Sequence, residues 1–353
     1  MWMYVGTYTG SGSEGVYGLE LDETTGQFSE PKLMAKTPNP SFLALSAAGD
    51  RLYATCDPGR FHGHRGGGLA AFAVDAVSRA LSPLNVERTG KSENCFVSLD
   101  PENRYALTAD YAEAIVDLLP LDADGRVLPS AAQDHHEDSG PAKDRQDKAH
   151  AHSFYAAPTG RFALCCDLGT DEVIVYRITD APLGLARHSV FNATPGSGPR
   201  HLTFSNDRRL VYLINELDNT IDVLKWNSDA GTLSHVQRVL TVPADFREYS
   251  KAAEICQHPN GRFVYASNRG HDSIAVFGVN PGDGTLSRVG HTPAGGKEPR
   301  HFSIDPSGRF LVATNQQSDN VTAFRIDPES GKLTPTGGEV KISQPVCVVF
   351  APT

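Results

Sequence analysis

One short pattern recurs along the chain: a turn, an arginine, then an apolar run rich in β-branched and aromatic residues. It reads GDRLYATC at Arg51, ENRYALTA at Arg104, TGRFALCC at Arg161, DRRLVYLI at Arg209, NGRFVYAS at Arg262 and SGRFLVAT at Arg309. Successive anchors are 53, 57, 48, 53 and 47 residues apart. A unit of that length holds one small sheet that cannot cover its own faces, so neighbouring units must stack. The stretch from Lys251 to Pro293 shows what one unit contains. Phe263-Val264-Tyr265 follows the turn Pro259-Asn260-Gly261, alternation resumes at Ile274 and Val276, and Pro281-Gly282-Asp283-Gly284 closes that strand. Strand content throughout selects a propeller over a helical solenoid.

A seventh unit is split across the termini. The tail Gln344–Pro352 matches the opening of a unit, as in Glu298-Pro299-Arg300-His301-Phe302, and then stops. Met3–Thr7, Val16–Leu21 and Lys32–Ala35 supply the missing strands. Pairing Val346–Phe350 with Met3–Thr7 closes the ring without a free edge. The expectation is an all-β protein, a single seven-bladed β-propeller domain over residues 1–353. Asp57–Gly68 and Pro129–Ala149 interrupt the period and read as surface loops, the second long enough to lean over one end of the ring. His62, His64 and the pair His135-His136 in these segments read as solvated.

A formal net charge of −10 argues against a nucleic-acid partner, which needs a basic footprint. No apolar run is long enough for a membrane span. Met1-Trp2-Met3-Tyr4-Val5 reads as a strand rather than a signal peptide. The six cysteines show no CxxC or zinc spacing, which fits reduced thiols in a cytoplasmic protein. A monomer or weak homodimer is expected.

Within the aligned units, one column repeats a residue type and others do not. Six residues after the anchor stand Asp110, Asp167, Asn215, Asn268 and Asn315, a column that reads as structural, each holding a turn through its side chain. The next column varies: Tyr111, Leu168, Glu216, Arg269 and Gln316. Nine residues before the anchor stand Phe42, Cys95, His152, Arg200, Ala253 and Arg300, with Ser153, His201, Glu254 and His301 beside them. In a propeller these columns meet at one mouth of the central channel, where ligands bind. His152, Arg200, Glu216, Glu254, Arg269 and Arg300 are therefore expected around one pocket. His150 and His152 alternate along a strand, but no carboxylate cluster completes a metal site, and no metal is expected. No GxSxG or SxxK motif supports a serine nucleophile, and no Walker or dinucleotide glycine motif is present.

At these residues the chain resembles the seven-bladed propeller lactonase family, which includes 6-phosphogluconolactonases and the fungal 3-carboxy-cis,cis-muconate lactonizing enzyme. The stretches that carry the resemblance are DSGPAKDRQDKAHAHS, LGTDEVIVYR, GPRHLTFS, VYLINELDNTIDV, KAAEICQHPNGRFVYASNRGHDSIAVF and EPRHFSIDPSGRFLVATNQQSDNV. The resemblance implies catalytic roles for His152 of HxHS, Arg200 of GPRH, Glu216 of INEL and Arg269 of SNRG. It also places His150, His201, Glu254, Arg300 and His301 as flanking substrate-binding groups, and implies no cofactor. The implied partner is a small anionic lactone of carbohydrate metabolism, 6-phosphogluconolactone foremost. A cycloisomerase of the lactonizing type and a non-catalytic binding platform are the alternatives. Lactone opening needs an activated water and a stabilised oxyanion. Glu216 or His152 would serve as base, and Arg200 and Arg269 as oxyanion or substrate ligands.

Overall fold

The structure, a computed structural model, describes residues 1–57, 60–61, 64–92 and 94–352, the side chains of 60–61 and 64–65 excepted. Seven four-stranded antiparallel sheets form a ring: a seven-bladed β-propeller. The innermost strands, in order around the channel, are Leu43–Leu45, Asn94–Leu99, Ala151–Ala156, Pro199–Phe204, Lys251–Gln257, Pro299–Ile304 and Pro345–Phe350. They define blades one to seven. The last blade runs Pro345–Phe350, Trp2–Thr7, Gly15–Glu20, Lys32–Lys36 from the channel outward. Its closing register pairs Met3 with Phe350, Tyr4 with Val349 and Val5 with Val348.

The core is divided. Among the described residues there are seven apolar clusters, one between each pair of neighbouring blades. Leu107 and Val116 of blade two meet Phe154 and Ile174 of blade three, and Met3 and Val5 of blade seven meet Phe310 and Val312 of blade six. Each sheet is thus buried on both faces, which explains the near-continuous apolar runs after each anchor.

Five of the six anchor arginines, Arg51, Arg104, Arg161, Arg262 and Arg309, tie their blade to the next, while Arg209 pairs with Asp207 of its own blade. Arg51 Nε donates to the Asp124 carbonyl at 2.9 Å, Arg262 Nη2 to the Glu329 carbonyl at 3.1 Å, and Arg309 pairs with Glu23 across the closure. Tyrosines in the same strands repeat the device: Tyr53, Tyr212 and Tyr265 donate to the carbonyls of Gly125, Gly284 and Gly331.

Two readings of the loops need correction. Ala132–His135 is the outer strand of blade two, and the strap begins only after it. His136 is buried, not solvated: its Nδ1 lies 2.6 Å from Asp167 and its Nε2 2.7 Å from the Tyr176 hydroxyl. A polar ring between two charged or hydroxylated partners is invisible in a segment without periodicity. Arg60–Phe61 and His64–Arg65 form a short ladder inside the first loop. The readings of His62 and of the His64 side chain lie outside the described residues.

Candidate active site

The bulge in the innermost strands builds the site. In blade three Ala151 pairs with Asp167 and Ser153 with Cys166, so the ladder skips His152. The same step skips Cys95, Arg200 and Arg300 in blades two, four and six, and blade five slips between Ala252 and Ile255. A bulge leaves one residue unpaired and re-aims its side chain. In blades two to six the column nine residues before the anchor is this bulge column. His152, Cys95 and Arg300 line a cavity of about 420 Å³ at the channel mouth, while Arg200 lines the narrow neck beneath it.

Glu216 and Arg269 arrive from the adjacent strands. Arg269 ends Phe263–Arg269 and Glu216 directly follows Leu210–Asn215. The Glu216 amide donates to the Gly198 carbonyl at 2.8 Å. Gly198 has φ 66°, a left-handed conformation that favours glycine, and its own amide donates to Asp171 at 2.8 Å. One turn therefore sets both Arg200 and Glu216. The Asp/Asn column holds such loops: Asp167 accepts from the amides of His150, Gly169 and Thr170, and Asn268 Nδ2 donates to the Thr241 carbonyl.

Glu216 is the electrostatic centre. Its Oε2 lies 3.1 Å from Arg200 Nε and 2.7 Å from Arg269 Nη2, and its Oε1 lies 2.7 Å from Arg145 Nη2. Burial acts against its charge, but Arg269, Arg200 and Arg145 outweigh that and hold the carboxyl well below its usual range. Burial, with repulsion from Arg269 and Arg300, brings Arg200 down to about 10, so it stays charged at neutral pH. Burial, reinforced by Arg200, pushes His152 well below the ordinary imidazole value. His152 is neutral at pH 7 and makes no side-chain hydrogen bond among the described residues, its Nδ1 being buried without a partner.

The family model described as Lactonase, 7-bladed beta-propeller, matches residues 2–350. The chain belongs to this lactonase family. It is 38% identical over 347 residues to the 6-phosphogluconolactonase of Bacillus subtilis, covering 98% of this chain and 97% of that one. The structure of a periplasmic gluconolactonase from Pseudomonas aeruginosa superposes with a TM-score of 0.91 at 32% identity, over 99% of both chains. A solved protein of Lactobacillus plantarum gives a TM-score of 0.91 at 34% identity, over 98% of both chains. This lactonase is an enzyme of the lactone hydrolase type, and the platform alternative falls with that finding.

The remaining candidates of the lactonase separate by depth. His201, Glu254 and His301 lie below the cavity: His201 Nδ1 is 2.9 Å and His301 Nε2 3.4 Å from Glu254 Oε2. The Val348 amide donates to His301 Nδ1 at 3.3 Å, so the His301 proton sits on Nε2, toward Glu254. Both imidazoles stand edge-on to Phe42, at 5.6 and 5.4 Å, and close the channel. Burial raises the Glu254 carboxyl above its usual value and lowers both histidines. Glu254 also lines a second cavity, about 470 Å³, at the other end of the channel. His150 is not among the cavity-lining residues. Its ring stacks on Tyr111 with centroids 4.3 Å apart, and its Nδ1 lies 2.9 Å from the Tyr111 carbonyl.

Among the lining residues not anticipated as site residues, the cationic and aromatic ones are Arg145, Lys251, Tyr8 and Tyr111. Tyr111 stood in the variable column beside Glu216 and Arg269, a signal that was present. Arg145 lay in a non-periodic strap, and only the DRQ of that stretch marked it. No group of three or more His, Cys, Asp or Glu suited to a metal ion occurs among the described residues. Another cavity, about 930 Å³, lies on the opposite face, where Arg209 pairs with Asp207 and Arg262 with Glu329.

Proposed function

We propose that the lactonase hydrolyses 6-phosphogluconolactone, with His152 as general base. The observation that carries this reading is the charge around the cavity: Arg145, Lys251, Arg269 and Arg300 line it against the single carboxylate of Glu216. Lys251 and Arg300 have no carboxylate partner among the described residues. Arg300 instead donates to the Tyr8 hydroxyl at 3.2 Å and lies over its ring. Such a surplus of positive charge in a cleft favours an anionic substrate.

The same geometry divides the chemistry. Both oxygens of Glu216 are taken by guanidinium groups, so it is a weak base whose work is to hold the arginines. His152 is neutral and unpartnered, ready to take a proton from water as the oxygen attacks the lactone carbonyl. Arg269, on the cavity wall, faces the developing oxyanion, and Arg200 backs it from the neck beneath. The ring C–O bond then breaks, and the proton on His152 passes to the leaving alkoxide, so lactone and water give the hydroxy acid. Identity to the Bacillus enzyme supports the substrate. Cytoplasmic placement and a monomeric or weakly dimeric state belong to the same proposal, supported for the compartment by six unpaired cysteines.

The test is proton release by pH-stat on a lactone panel. It includes 6-phosphogluconolactone, neutral gluconolactone and muconolactone-type acids. Turnover of the phosphorylated sugar lactone at least tenfold above the others is expected. Preference for the muconolactone acids would assign the cycloisomerase reading instead.

A further inference from the structure

We propose that Arg145 reads the charge of the substrate: its guanidinium leaves Glu216 to bind the phosphate monoester of an incoming lactone. The inference rests on the phospho-lactonase reading above and adds a residue and a motion to it.

Arg145 Nη2 lies 2.7 Å from Glu216 Oε1 and 3.3 Å from the Tyr111 hydroxyl. Its Nη1 is buried without an acceptor, as is Nε of Arg269. A buried charged donor left unpaired is costly, and charge-assisted bonds to anionic oxygens are the natural completion. A small turn of either guanidinium toward the cavity supplies them.

Arg145 is the outer of the three arginines on Glu216. Its side chain is 27% exposed, against 2% for Arg200 and 6% for Arg269. Arg200 and Arg269 come from strands, whereas Arg145 comes from the strap between Ala132–His135 and Ala151–Ala156. The footing of that strap is firm. Gln146 Nε2 donates to the Leu168 carbonyl and to Asp171 Oδ1, both at 2.8 Å, and His136 is held by Asp167 and Tyr176. Only the side chain needs to move. When it does, Glu216 keeps Arg200 and Arg269 through Oε2, so the inner site persists while the outer arm engages the ligand. Four cations against one carboxylate leave a surplus of three, which a phosphate dianion largely balances.

The experiment compares wild type, Arg145→Gln and Arg145→Lys by steady-state kinetics on 6-phosphogluconolactone and neutral gluconolactone. In parallel, titration calorimetry measures binding of the product 6-phosphogluconate. Arg145→Gln is expected to lower kcat/KM for the phosphorylated lactone through KM, by at least tenfold more than for the neutral one. It should also weaken 6-phosphogluconate binding at least tenfold, with Arg145→Lys intermediate. Equal losses on both lactones, or undiminished product binding, would overturn the assignment. If wild type hydrolyses neither lactone, the proposed function fails, and the product-binding comparison still decides the role of Arg145.

Discussion

Arg269 Nη2 lies 2.7 Å from Glu216 Oε2 with both side chains almost wholly removed from solvent. The pair sits where two blades meet the channel, and Arg200 and Arg145 share the same carboxylate. One buried anion thus neutralises part of a cationic nest. The stability of the site and its reactivity are bound together through Glu216.

Glu216→Gln removes that anion and leaves three guanidinium groups facing one another. Breaking a buried charge network from one side typically costs about 3–5 kcal/mol. Urea unfolding is expected to show a loss of that order, together with a fall in turnover. Unchanged stability would mean that the arginines are compensated elsewhere.

Arg200→Lys and Arg269→Lys keep the charge but lose the planar fork. Each is expected to lower kcat by about 10²–10³-fold, the usual effect of removing one oxyanion donor. Circular dichroism should still report a folded propeller. Wild-type turnover in both variants would remove them from the reaction.

Acid should destabilise the protein early. His152, His201 and His301 are buried and held below the ordinary imidazole value of about 6.5. As pH falls below that value the unfolded chain takes up protons that the folded protein refuses, so stability declines. The slope is about 1.4 kcal/mol per pH unit for each histidine. Glu254, raised by burial, works in the opposite direction, taking up its proton first in the folded state. Glu216, held low, adds to the loss only as pH drops below the unfolded carboxyl range and through its own folded value. Urea midpoints measured from pH 8 to pH 5 should fall steadily below 6.5, and kcat/KM should keep its plateau to lower pH than a free imidazole would allow.

Removing residues 344–353 deletes the strand that pairs with Trp2–Thr7 and buries Val346, Cys347 and Val348. Each such side chain contributes on the order of 1.5–3 kcal/mol. The truncated chain should melt more than about 10 °C lower, or without a cooperative transition. A calorimetric trace matching the full chain would show that closure adds nothing.

The ring was legible because the period was: six anchors and a split seventh unit leave few architectures, and five of the arginines that marked the repeat proved to clamp blade to blade. The mouth was legible for the same reason. A position within the repeat fixes a height along the channel, so the variable columns at 152, 200, 216, 269 and 300 had to lie near one another. The inward aim of His152, Arg200 and Arg300 comes from a bulge that repeats with the period, and Glu216 and Arg269 arrive from the ends of the adjacent strands.

Depth and loops were decided only by the folded chain. His201, Glu254 and His301 stand one step further along their strands than the bulge column and lie beneath the cavity, His201 and His301 in the neck and Glu254 beside them at the second cavity. His150 likewise lies against Tyr111 rather than at the cavity. The strap at 136–149 has no period to read. Its path is set by Gln146 on Asp171 and by His136 on Asp167, side-chain bonds between segments of the chain that no spacing announces. Arg145 reaches Glu216 across 71 residues of sequence on that footing. Periodicity therefore determined the ring and its mouth, while long-range polar contacts decided which charges share the cavity.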